Sequence, residues 1–76
     1  MKLKTIRESK DLSQGDLSKL SGISVRTLQH YEQGSMNIDK ANLKTLLQLT
    51  ISLNCKLIDI LEDEELIKML NAANIK

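Results

Sequence analysis

Two pairs of helix start and stop signals stand close together in the first half of the chain. Ser13 lies three residues before Asp16, the spacing in which a serine hydroxyl caps free backbone N–H groups and an acid favours a helix start. Gly22 is placed where a left-handed residue would end that helix. Ser24 and Gly34 bound a second segment in the same way. The pattern predicts two short helices joined by a tight turn that contains a glycine.

The rest of the chain also carries helical periodicity. We find no sustained alternation of apolar and polar residues, and the β-branched residues are scattered among good helix formers. The chain is therefore predicted to be all-α. Six helices are expected, at about residues 2–10, 13–22, 25–33, 40–53, 57–61 and 63–73.

Apolar residues at helical spacing predict the buried faces. In the first three helices these residues are Leu3, Ile6, Leu17, Leu20, Leu28 and Tyr31. Asp39 is the predicted cap of the fourth helix, whose buried face is expected to consist of Leu43, Leu46, Leu49, Thr50 and Leu53. Leu47 and Ile51 fall outside that face.

Length and composition limit the possible classes of protein. A chain of 76 residues has room for one small domain, here residues 1–76 with a core region at about 2–62 and an extra helix at about 63–73. Aromatic residues make up 1% of the chain, Tyr31 alone, which excludes stacking platforms for single-stranded nucleic acid. The core must be aliphatic.

The residues needed for catalysis or metal binding are scarce. Cys55 and His30 are the only residues of their types, so an internal disulfide and a zinc site are not expected. Cys55 lies among leucines and is interpreted as a small buried apolar residue, with a redox or metal role as the alternative. The acids at 62–65 crowd one helix start without a catalytic partner. We expect no enzyme activity, no cofactor and no metal.

The sequence also predicts a compartment. A single cysteine fits a reducing cytosol, and no apolar run reaches the roughly 20 residues that span a bilayer. No signal-type apolar stretch follows the N-terminal residues 1–4. We therefore expect a soluble, cytoplasmic protein without a membrane partner.

Charge is unevenly distributed along the chain. Residues 1–37 hold six basic and four acidic residues, a net charge of +2, and residues 38–54 have a net charge of +1. Residues 55–76 hold three basic and five acidic residues, a net charge of −2. A polyanion is therefore expected to meet the front of the chain.

The segment 12–34 and the helix before it carry a set of residues at fixed spacing: Arg7, Ser13, Gln14, Leu17, Gly22, Ile23, Leu28, Glu32 and Gly34. With these features the segment resembles the helix-turn-helix of the phage Cro/repressor-type regulators, also called the xenobiotic-response-element family. The resemblance covers about residues 2–62 and implies a lambda-repressor-like five-helix DNA-binding domain whose third helix enters the major groove. Gly15, which replaces a stronger helix former, and the added helix at 63–73 depart from the family pattern.

The third helix leaves four side chains pointing away from its buried stripe, Val25, Arg26, Gln29 and His30. Arg26 can donate two hydrogen bonds to guanine, Gln29 can pair with adenine, and His30 can donate or accept. Val25 can contact the methyl group of thymine. We interpret these residues as base readers, and the alternative is an ordinary solvated surface.

Phosphate contacts are expected from donors that flank the groove helix. Gln14 is the best candidate, because it opens the second helix and matches the phosphate-contacting glutamine of the family. The other candidates are Ser24, Thr27, Ser35, Asn37, Lys40 and Lys44. Each lysine has the alternative of a plain solvated charge.

Arg7 and Glu32 are interpreted as structural residues. Each lies next to apolar positions, and the resemblance implies that they pair across the first and third helices. Such a partly buried ion pair would fix the angle of the groove helix.

The chain holds more apolar residues than one small core needs. The surplus residues are Leu47, Ile51, Ile58, Leu66, Ile67 and Leu70. They predict either a homodimer interface or a sixth helix that folds back on its own domain. A dimer is favoured by function, because one short groove helix reads only a few base pairs.

These observations predict a sequence-specific regulator that binds double-stranded DNA, a homodimeric repressor or controller. Autoregulation is implied by the resemblance alone. The alternative is a protein-interaction module, for instance an antitoxin that masks a toxin or another regulator through its acidic last helix and surplus leucines. In that case DNA binding would serve autoregulation.

Overall fold

The computed structural model describes residues 1–75, which form six α-helices and one 3₁₀ turn and contain no strand. The helices are α1 Lys2–Ser9, α2 Gln14–Ser21, α3 Val25–Gln33, α4 Leu43–Leu53, α5 Leu57–Ile60 and α6 Glu64–Ala72. The 3₁₀ turn Ile38–Lys40 precedes α4. The predicted all-α fold is confirmed.

Capping chemistry sets the bounds of α2 and α3. The Ser13 hydroxyl accepts from the backbone N–H of Asp16 at 3.0 Å, and the Asp16 carboxylate accepts from the backbone N–H of Ser13 at 2.9 Å. The hydrogen bond from the Ser13 backbone N–H lowers the pKa of the Asp16 carboxyl. Gly22 and Gly34 end the two helices with φ of 76° and 81°, a left-handed conformation that glycine adopts without a steric penalty.

The core lies where α2 packs on α3 and α4, and where α1 packs on α3 and α5. Its fully buried side chains are aliphatic: Leu3, Leu17, Leu28, Ile38, Leu49, Leu53, Ile60 and Leu61. Tyr31, at 5% exposure, is the aromatic member. Cys55 packs against this core, and burial, together with the charge of Asp59, raises the pKa of its thiol.

The predicted start of α4 was wrong. Asn42, not Asp39, caps the helix, because its side-chain oxygen accepts from the backbone N–H of Thr45 at 2.8 Å. Asp39 lies inside the 3₁₀ turn that precedes the helix, next to Ile38, which is 1% exposed. Asp39 and Asn42 both carry a capping side chain, so local sequence does not distinguish them.

Asp39 instead ties two distant segments together. Its Oδ1 atom accepts from the backbone N–H groups of Glu62 and Asp63 at 2.8 and 3.0 Å. Asp63 in turn caps α6 by accepting from Glu65 and Leu66. The turn before α4 therefore holds the start of the last helix.

Two predicted core leucines lie at the surface. Leu20 is 60% exposed, because the buried stripe of α2 runs from Leu17 to Ser21, four residues on. Leu43 is 62% exposed and shares an outward stripe of α4 with Leu47 and Ile51, at intervals of four residues. The prediction that Leu47 and Ile51 lie off the buried face agrees with their exposures of 45% and 79%.

The surplus apolar residues divide into two groups. Leu66, Ile67 and Leu70 of α6 are half-buried and pack against the core of the same chain. Ile58 is also half-buried, whereas the α4 residues are exposed. Within residues 1–75, no helix is both long enough and apolar enough to cross a membrane.

Replacing Asp39 tests the connection between the 3₁₀ turn and α6. Asp39→Ala leaves two backbone N–H groups without their acceptor, so the free energy of unfolding should fall by about 1–3 kcal/mol. Asp39→Asn keeps an acceptor oxygen and should lose less. Urea denaturation followed by far-UV circular dichroism measures both, with the exposed Glu64→Ala of α6 as control. Equal losses for Asp39→Ala and Asp39→Asn would contradict the connection.

Candidate nucleic-acid interface

The outward face of α3 is mostly exposed and mostly polar. Val25, Arg26 and Gln29 are exposed, and His30 is half-buried near the end of the helix. On the opposite side, Leu28 is fully buried in the core. The four residues predicted to read bases therefore share a side of the helix that the core does not occupy.

A buried ion pair holds α3 against α1. Arg7 Nε donates to Glu32 Oε2 at 2.8 Å, and a second guanidinium nitrogen of Arg7 donates to Glu32 Oε1 at 3.0 Å. The side chains are 9% and 3% exposed. This two-point geometry fixes the relative orientation of the two groups as well as their distance.

The environment keeps both members of the pair charged at neutral pH. Burial alone would raise the pKa of the Glu32 carboxyl. The hydrogen bonds from Arg7 and Gln14, with the charges of Arg7 and Lys4, outweigh that effect, so the pKa of Glu32 lies below its ordinary value. The hydrogen bond to Glu32 raises the pKa of Arg7.

Two further contacts extend the pair toward α2. The third nitrogen of the Arg7 guanidinium donates to the backbone carbonyl of Leu12 at 2.7 Å, in the link between α1 and α2. Gln14 Nε2 donates to Glu32 Oε1 at 3.1 Å. A primary amide carries two hydrogens, so Gln14 keeps one for another acceptor. The ion pair therefore orients the side chain predicted to contact phosphate.

The hydroxyl groups at the start of α3 form their own cap. Ser24 Oγ accepts from the backbone N–H of Thr27 at 3.1 Å and lies 3.0 Å from Thr27 Oγ1, to which it donates. Its single hydrogen is used inside the chain, whereas the Thr27 hydroxyl keeps its own. Of the two predicted phosphate contacts, Thr27 retains the donor.

The remaining predicted phosphate contacts lie after α3. Asn37 Oδ1 accepts from the backbone N–H of Asp39 at 2.9 Å, which leaves the amide hydrogens of Asn37 free to donate. Lys40 and Lys44 are exposed at the 3₁₀ turn and in the first turn of α4. Ser35 is different, because its hydroxyl lies 2.8 Å from His30 Nδ1.

Sequence reasoning missed the contacts that depend on chain reversal. The bond from Arg7 to the Leu12 carbonyl follows from the turn after α1, where Asp11 has a φ of 56°. The contact between Ser35 and His30 follows from the reversal at Gly34. The only signal in the sequence was a small hydroxyl residue directly after a helix-ending glycine, which is common in loops.

This geometry defines a class of protein. Two short helices joined by a tight turn, of which the second presents an exposed polar face, form a helix-turn-helix DNA-binding module. Among residues 1–75, no group of three or more His, Cys, Asp or Glu side chains is placed to hold a metal ion.

Comparison with known proteins agrees with this class. A family model described as helix-turn-helix matches residues 3–60, so the chain belongs to the helix-turn-helix family of the Cro/C1 type, and the resemblance seen in the sequence is confirmed. The match identifies a DNA-binding protein of a regulator family whose members are typically not enzymes. No curated protein and no solved structure shows a significant match. Helix α6 lies beyond the matched region.

Removing one member of the ion pair should be far more harmful than removing both. Arg7→Met leaves the Glu32 carboxylate buried without its partner, and we expect the free energy of unfolding to fall by about 3–5 kcal/mol. The double variant Arg7→Met, Glu32→Met buries no charge and should recover most of that loss. Thermal and urea unfolding give the comparison, with Lys68→Met at an exposed position of α6 as control. A harmless single substitution would make the pair an ordinary surface contact.

Proposed function

We propose that the protein is a sequence-specific transcriptional regulator, a homodimeric repressor or controller that lays α3 in the major groove of double-stranded DNA. It would act without catalysis or a cofactor, in the cytoplasm, where it meets DNA. The observation that carries the proposal is the exposed polar face of α3 on a module whose opposite face is buried. In a helix-turn-helix, that face is the one that reaches base edges.

The chemistry of this face fits direct readout. The Arg26 guanidinium presents paired donors suited to the O6 and N7 acceptors of guanine. The Gln29 amide presents one donor and one acceptor, the pattern that adenine matches, and Val25 offers an apolar contact for a thymine methyl. His30 lies one turn beyond Arg26 on the same side.

Donors on both sides of α3 support a role in phosphate contact. At the start of α2, Gln14 has one free amide hydrogen, and the first backbone N–H groups of that helix have no partner within the helix. Beyond α3, the donors are Asn37, Lys40 and Lys44. Thr27 adds a free hydroxyl donor, whereas the Ser24 hydroxyl is already used in the N-cap of α3. Phosphate contacts of this kind set the register on the duplex without reading sequence.

Substitutions that separate readers from positioners test this function. Sites are first selected from random duplexes, and affinities are then measured by fluorescence anisotropy at several salt concentrations. Arg26→Ala should lower the preference for one base pair by about 5- to 150-fold, because a good base contact contributes about 1–3 kcal/mol of discrimination. Lys44→Ala should weaken binding evenly across sequences and reduce the salt slope by about 1.

Lys68→Ala is the matched control, because Lys68 is an exposed lysine on α6, outside the predicted interface. It should leave both the affinity and the sequence preference unchanged. If Arg26→Ala weakened all duplexes equally, the assignment of α3 as the reading helix would be wrong.

The exposed stripe of α4 supports the dimer. Leu43, Leu47 and Ile51 form a continuous apolar row with exposures of 62%, 45% and 79%. Contiguous apolar surface of this kind is unusual on a monomer and marks interaction sites. A second copy paired through this row would supply the second reading helix, and dimers of this class bind half-sites about 34–36 Å apart. The α6 leucines, packed on their own core, are less available to a toxin or other partner protein.

The dimer proposal predicts a selective effect of charge on α4. Ile51→Lys places a charge in the apolar row and should shift the molar mass measured by light scattering from dimer toward monomer, with a parallel loss of affinity for two-half-site DNA. Leu20→Lys alters a leucine of comparable exposure on α2 and should leave the mass unchanged. A wild-type protein that is monomeric at micromolar concentration, or a dimer that tolerates Ile51→Lys, would contradict the interface.

A further inference from the structure

We propose that Ser35 fixes the tautomer of His30, so that the imidazole presents a hydrogen-bond acceptor to DNA and selects a base edge that carries an amino group. The inference rests on the proposed function, in which the outward side of α3 reads the major groove. It assigns Ser35 a positioning role instead of a phosphate contact.

The geometry is set by the end of α3. Gly34 adopts a left-handed conformation that turns the chain back, and the backbone N–H of Met36 donates to the His30 carbonyl at 3.1 Å. The same reversal brings Ser35 Oγ to 2.8 Å from His30 Nδ1 and to 3.3 Å from the His30 carbonyl oxygen. One hydroxyl therefore contacts two polar atoms of a single residue.

Counting hydrogens assigns the direction of these bonds. A serine hydroxyl has one hydrogen to donate, and a carbonyl oxygen can only accept. Both contacts of Ser35 are satisfied in one arrangement: the hydroxyl donates to the His30 carbonyl, and His30 Nδ1–H donates to the hydroxyl oxygen. In neutral histidine one ring nitrogen carries the proton, so His30 Nε2 is then a bare acceptor.

An acceptor at Nε2 restricts the bases that His30 can read. In the major groove, the donors are the N6 amino group of adenine and the N4 amino group of cytosine. The N7 and O6 atoms of guanine and the O4 atom of thymine are acceptors and would face the lone pair of Nε2. Arg26 can only donate and therefore prefers base edges that accept, whereas His30 prefers base edges that donate. The two residues thus give α3 opposite hydrogen-bonding preferences.

The tautomer is measured directly in the free protein. His30 is the only histidine, so ring 15N NMR at a pH where the imidazole is neutral reports on this residue alone. We expect the proton on Nδ1 in the wild type and in Ser35→Thr, which keeps the hydroxyl. Ser35→Ala should lose this tautomer while far-UV circular dichroism shows an unchanged fold. A proton on Nε2 in the wild type, or the same tautomer in Ser35→Ala, would overturn the assignment.

Base analogues test the reading of the amino group. The base pair read by His30 is the one at which His30→Ala loses preference in the selected site. Replacing adenine there by purine, or cytosine by 2-pyrimidinone, removes only the amino group. Wild type and Ser35→Thr should bind this duplex about 2- to 12-fold more weakly, the effect of one neutral hydrogen bond. Ser35→Ala should show a smaller loss, and His30→Ala none.

The two proposals fail in different ways. A protein that selects no duplex sequence overturns the proposed function and the reading role of His30, while the ring measurement still decides the tautomer. Specific binding that is indifferent to removal of the amino group leaves the proposed function intact and overturns the further inference.

Discussion

The buried ion pair between Arg7 and Glu32 is the constraint on which the functional surface depends. It joins α1 to the last turn of α3, takes in the Leu12 carbonyl of the intervening link, and reaches Gln14 at the start of α2. An unpaired charge in this place would be costly, so each member holds the others in position. Four segments of backbone are thereby related to one another by a single network of hydrogen bonds.

Helices as short as α2 and α3 need a hydrogen-bond network of this kind to hold their relative positions. At eight and nine residues, α2 and α3 are below the length at which a helix persists alone in water, and a chain of 76 residues buries limited apolar surface. The caps at Ser13 and Ser24 determine where α2 and α3 begin, and Gly22 and Gly34 determine where they end. Burial of the aliphatic core stabilises the packing of the helices but does not fix their angles, because the hydrophobic effect has no preferred direction. The two hydrogen bonds of the ion pair fix the angle between α1 and α3. The groups proposed to position the protein on DNA and to read bases therefore share one rigid frame.

The sequence predicts most of the fold because the signals are local. Serine caps and helix-ending glycines act within four residues, and the bounds of α2 and α3 follow from them. Prediction failed where two local signals compete: Asp39 and Asn42 both carry capping side chains, and α4 begins after the second of them. It failed again at Leu20, since the packing of one helix on another, and not periodicity alone, selects Ser21 for the buried stripe.

The candidate site likewise has one part that local sequence signals predict and another that depends on contacts within the folded chain. Helical periodicity alone indicates that Arg26 and Gln29 point outward, but the chemistry that a side chain offers depends on bonds it already makes within the chain. Gln14 donates one amide hydrogen to Glu32 and has one left to donate to another acceptor. In the proposed tautomer, His30 bonded to Ser35 is left with a lone pair at Nε2, whereas a free histidine could donate or accept. In the proposed complex, a duplex meets only the donors and acceptors that remain free, so recognition would depend both on the outward face of α3 and on the contacts its side chains make within the chain.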